Sequence, residues 1–161
     1  MILAAAIVKR SRLALVLAAT ASLLTVATPA RAQEPDFGLR AGVSSDPTQF
    51  YFGGHVNTAP IWNKISFRPN VEIGVGNGGT AVGFNIEFAY WYPLRNQPWN
   101  LYMGGGPAAN VYHANGNTDL KPGFNLLFGA KHSSGVFLEI KIGLIDSPDF
   151  KLGVGYAWGK R

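Results

Sequence analysis

Eight stretches of this chain alternate apolar and polar residues with a period of two, and no segment beyond Pro35 holds helical spacing for long enough to matter. Successive side chains of a strand point to opposite faces. The chain therefore reads as strands, each with one apolar and one polar face. The runs are 37–44, 50–57, 65–75, 82–92, 99–111, 124–131, 136–144 and 150–158. In 82–92, Val82, Phe84, Ile86, Phe88, Tyr90 and Tyr92 oppose Gly83, Asn85, Glu87 and Ala89. In 150–158, Leu152, Val154, Tyr156 and Trp158 oppose Lys151, Gly153, Gly155 and Ala157. Clusters rich in Gly, Pro, Asn, Asp and Ser separate the runs at 44–47, 57–60, 76–79, 93–98, 114–122, 133–135 and 146–149. Pro69 and Pro107 fall inside runs, where each removes a ladder donor, so bulges or strand ends are expected there. The triplet Gly104-Gly105-Gly106 supports a kink in the fifth strand.

The N-terminus follows a different logic. Lys9, Arg10 and Arg12 precede an uncharged stretch of 14 residues, Leu13 to Val26, and Ala30-Arg31-Ala32 follows. A positive segment, a short apolar one and an A-x-A site describe a cleavable secretory signal peptide over 1–32, with cleavage before Gln33. Fourteen apolar residues fall short of the roughly 20 that a spanning helix needs. Charge depends on this division. The full chain carries 14 Lys+Arg against 9 Asp+Glu, a formal net charge of +5. Lys9, Arg10, Arg12 and Arg31 all precede residue 33 and no acid does, so 33–161 is nearly neutral at +1. A nucleic-acid partner thereby loses its support. With no cysteine, disulfides and thiolate metal sites are excluded.

Seven of the runs have about 8–11 residues, which matches a tilted strand that crosses a bilayer, and eight strands is the smallest common size of a closed membrane barrel. A soluble lipocalin-like barrel has the same alternation with its apolar face inward. Three features favour lipid. Aromatics gather near run ends (Phe37, Tyr90, Tyr92, Trp99, Tyr156, Trp158), and the polar face mixes Gly with isolated charges, as a narrow lumen requires. The third feature is the terminal strand. Lys151-Leu152-Gly153-Val154-Gly155-Tyr156-Ala157-Trp158 resembles the C-terminal signal read by the outer-membrane barrel assembly machinery, with Lys151, Gly153, Tyr156 and Trp158 at its key positions. Together these features resemble the small outer-membrane β-barrels of the OmpA and OmpX type. The resemblance implies an all-β, eight-stranded antiparallel up-and-down transmembrane barrel over 33–161, exported through the general secretory pathway to the outer membrane. It implies lipid and the assembly machinery as partners, and a monomer. With the termini periplasmic, the turns near 44–49, 76–80, 113–122 and 145–149 face outside.

Arg40, Arg68, Lys131, Lys141 and Lys151 share the polar face with Glu72, Glu87 and Glu139, beside His55, Tyr51 and Tyr102. Side chains can fill an eight-stranded interior, and buried charges there must pair. A plugged, salt-bridged lumen with a structural or surface-interaction role, and no catalysis, is expected. Gly74-Val75-Gly76-Asn77-Gly78-Gly79 satisfies GxGxxG, but the alternation after it predicts a hairpin where a dinucleotide site needs a helix. His55, His113 and His132 lack ligand spacing, and neither metal nor cofactor is expected. One enzymatic alternative remains. Outer-membrane lipid A deacylases carry His-x-Ser with a Glu beyond; here His132-Ser133-Ser134 and Glu139 offer those types, although parity separates Glu139 from the turn that holds His132 and Ser134.

Overall fold

A computed structural model describes residues 35–77 and 79–159; the expected signal peptide, 1–32, lies outside the described residues. Regular structure among these residues is all β. The strands are β1 (Asp36–Ser45), β2 (Gln49–Asn57), β3 (Pro60–Trp62), β4 (Ile65–Gly76), β5 (Gly79–Pro93), β6 (Trp99–Ala114), β7 (Asn117–His132), β8 (Val136–Ile145) and β9 (Phe150–Trp158). Each long strand pairs antiparallel with the next, β2 pairing directly with β4, and β3 only borders one end of β4. β1 and β9 pair from Phe37↔Trp158 to Ser45↔Phe150, which closes the sheet into an eight-stranded up-and-down barrel. Closure leaves no free first or last strand in the barrel wall, the condition that hydrocarbon imposes on a backbone.

The alternation sets which face looks inward. Arg40, Arg68, Glu72, Glu87, Glu139 and Lys141 are buried inside, while Leu39, Phe52, Phe84, Ile86, Met103, Leu138 and Val154 are exposed outside. This polarity is the reverse of the one expected of a soluble lipocalin-like barrel. One rim holds the start of β1, the end of β9 and the connections at 58–64, 94–98 and 133–135; the other holds the four remaining turns. Register places Phe37 beside Trp158, Leu39 beside Tyr156, Tyr92 beside Leu101 and Trp99 beside His132, so the aromatic girdle gathers at the terminal rim.

Two expectations need correction. The prolines neither end strands nor shift register. Pro69 pairs with Ile86 inside an unbroken β4–β5 ladder, and Pro107 pairs with Phe124 on the β7 side. On the β5 side pairing lapses between Asn85↔Ala108 and Phe88↔Gly105 and resumes in the same register, since Pro107 offers no donor there. The second correction concerns 113–122, expected as a turn region. β6 and β7 run on through it as a paired hairpin from Asn110↔Lys121 to Ala114↔Asn117, and only Asn115-Gly116 turn. Both have positive φ (51° and 77°), which suits a two-residue primed turn. On the β7 side the hairpin runs on past its β8 partner, and residues 117–122 are exposed without alternation, so the pattern did not reveal it.

Candidate functional site: the charged lumen

Three inward rings fit because their cross-strand neighbours are glycines. His55 lies over Gly38, Tyr102 over Gly129 and Phe137 over Gly155; a Cβ on any of these three glycines would collide with the ring. Space surrendered by one strand is filled by the next. The lumen packs as a core although its atoms are polar.

At its centre stands Glu139, fully buried, one carboxylate oxygen on Arg40 and the other on Arg68. The Tyr102 hydroxyl also donates to Glu139 Oε2 at 2.8 Å. Arg68, 1% exposed, stacks over the Tyr102 and Phe137 rings, and its Nη2 lies 3.4 Å from His55 Nε2. An arginine can only donate, so Nε2 accepts. Toward the far rim, Glu72 takes Lys141 and Lys151 at 2.8 Å each and Arg40 at 3.3 Å. Lys141 also binds Glu87 at 2.6 Å. A relay of amides continues around the wall: Asn70 donates to Glu87 (2.7 Å), Asn85 to Asn70 (2.8 Å) and Asn125 to Asn85 (2.7 Å). Near the terminal rim Lys131 pairs with Asp36, to which Asn57 also donates, and Trp91 donates to Ser66 at 2.8 Å.

All eight charged residues assigned to the polar face thus line the lumen. Seven join one network through Glu72, Glu87 and Glu139; Lys131 stands apart with Asp36. Asp36 and Trp91 were missed. Each continues its run's inward parity, Asp36 one residue before 37–44 and Trp91 near the end of 82–92, so the periodicity held the signal. Of the strand resembling the assembly signal, Lys151 and Gly153 face the lumen while Tyr156 and Trp158 face outward, their rings 5.1 Å apart.

The deacylase residues do not assemble. His132 and Ser134 meet in the turn after β7, where His132 Nδ1 lies 2.8 Å from Ser134 Oγ and also accepts the Ser134 backbone N–H. The Glu139 oxygens are held by Arg40, Arg68 and Tyr102. An acid so engaged does not orient that imidazole. Gly74-Val75-Gly76 end β4, Gly76 pairs with Gly79, and the strand β5 follows where a dinucleotide site needs a helix. Among the described residues no group of His, Asp or Glu forms a metal-holding cluster.

No protein-family model matches the sequence, and no curated protein does. Solved structures do match. The N-terminal β-barrel domain of Pseudomonas aeruginosa OprF aligns at TM-score 0.60 and 11% identity, covering 80% of this chain and 100% of that one. Neisserial surface protein A aligns at 0.54 and 14%, covering 76% and 92%. The de novo designed TMB2.3 aligns at 0.52 and 17%, covering 81% and 96%. A designed protein among them shows that the likeness follows from barrel geometry. The chain has the closed eight-stranded antiparallel fold of outer-membrane-type β-barrels.

Proposed function

We propose that this protein is an integral outer-membrane barrel whose lumen is closed by its own salt-bridged side chains, with a structural or surface-interaction role in the envelope. One observation carries the reading: apolar side chains cover the outside of the wall while the ionised ones are buried within it. In water that arrangement is doubly unfavourable, since it exposes hydrocarbon and desolvates charge. In a bilayer the outer face is solvated by lipid and the paired lumen needs no water column. Residues 1–32 serve export through the general secretory pathway. The strand β9, which closes the barrel against β1, carries the residues offered to the assembly machinery. The barrel works as a monomer, with lipid as its immediate partner.

Fractionation with gel mobility before and after heating tests placement and folding together. Recovery in the outer-membrane fraction, with a folded band that shifts on boiling, is expected. Recovery in the aqueous fraction without detergent would overturn the membrane assignment. In planar bilayers the purified protein is expected to give no steady current; sustained channels would overturn the closed lumen.

A further inference from the structure

The turn between β8 and β9 does not project from the rim. Ser147 and Pro148 are buried, whereas the tip of the β6–β7 hairpin stands in solvent. Four contacts hold the turn inward. Asn110 Nδ2 donates to the Asp146 carbonyl (3.0 Å) and to Ser147 Oγ (3.3 Å). The Tyr112 hydroxyl donates to the same carbonyl at 3.2 Å, and Gly143 N–H to the Asp149 carbonyl at 3.0 Å. Its seat is made by missing side chains. A Cβ on Gly123 would collide with Ser147 Oγ, and one on Gly143 with the Pro148 carbonyl. Both glycines occupy lumen-facing positions near the end of the β7–β8 ladder.

The turn enters through Ile145, whose φ is +64° and whose side chain is 79% exposed. A β-branched residue in the left-handed region is strained, and here the strain falls on the residue where β8 leaves its ladder with β7. The β7–β8 pairing stops at Gly123↔Ile145 while β7 runs six residues further, to Asn117, paired only with β6. Beneath the turn lies a vestibule lined by Ser44, Gln49, Tyr51 and Asn110 and floored by the Lys151–Glu72 pair. It encloses about 10 Å³, the room of roughly one water.

We propose that residues 145–149 are a lid over the mouth opposite the termini, seated on Gly123 and Gly143, latched by Asn110 and hinged at the strained Ile145. Its outward swing opens the polar vestibule to small water-borne solutes, while the ion network below stays shut. Strain at the hinge favours release and the latch opposes it, which makes the element two-state.

The chain lacks cysteine, so Ser44→Cys, buried in the vestibule wall, gives a single reporter. The rate at which a polar thiol reagent labels it in detergent micelles measures lid opening, with heat-modifiable mobility confirming that each variant folds. Gly123→Ala, which crowds the seat, is expected to speed labelling. Asn110→Ala is expected to speed it about tenfold, the effect of losing two hydrogen bonds, and carries the test if Gly123→Ala does not fold. Ile145→Gly removes the strain of the closed state and is expected to slow labelling. Faster labelling in a latch or seat variant with slower labelling in Ile145→Gly supports the lid. Equal rates in Asn110→Ala and Ile145→Gly, or a change of the same sign in both, would overturn it.

Discussion

At Glu139 two guanidinium groups and a phenol converge on one carboxylate. A buried pair of this kind adds little over a well-packed apolar substitute, but removal of one partner strands the other charge. Glu139→Ala is therefore expected to destabilise the folded barrel by about 3–5 kcal/mol, read as a lower urea midpoint for loss of the heat-modifiable band. His132 makes the contrast. It contacts Ser134 and the Trp99 ring at the terminal rim and no part of the ion network. His132→Ala is expected to leave that midpoint within about 0.5 kcal/mol, the range of surface substitutions, and to leave lipid A mass unchanged in cells that express the protein. A mass shift that depends on His132 would instead establish the deacylase reading.

Among the strands, β6 is limited most sharply by its neighbours. A Cβ at Gly104 would collide with the Phe88 carbonyl, and one at Gly106 with the Ile86 carbonyl, both backbone atoms of β5. The Gly104-Gly105-Gly106 triplet lets two backbones approach closely beside Pro107. Gly106→Val is expected to abolish refolding into detergent micelles, with no heat-modifiable band at any protein-to-detergent ratio. At the other end of the same strand, Asn115-Gly116 turns a hairpin tip that lies just past the last β5 pair, Thr80↔His113. Gly116→Val forces a β-branched residue to a positive φ, a strain of about 1–3 kcal/mol. The expected result is a loosened tip that a protease nicks faster, on a barrel with unchanged heat-modifiable mobility.

For the whole barrel, the two faces answer differently to charge. Val154, on the outward face of β9, is 57% exposed, and Lys151, three residues earlier, is buried against Glu72. Val154→Arg places a cation in the hydrocarbon belt and is expected to cost about 2–4 kcal/mol on refolding into lipid vesicles. In the lumen the same cation type is tolerated because an acid meets it. The sequence by itself determined much of this. Period-two alternation decided strand number and which residues share a face, because a pleated strand allows only two sides. It also carried Arg40, Arg68, Glu72, Glu87, Glu139, Lys141 and Lys151 to the inside. Parity is blind to position around and along the barrel, so the partners came from closure alone. Glu139 meets Arg40 across 99 residues of chain, and no local pattern encodes that. The β6–β7 extension and the inward β8–β9 turn were likewise decided by tertiary structure. Beyond the bilayer no apolar face has to be kept, so periodicity carries no information, and two glycines on neighbouring strands determine where the turn can sit.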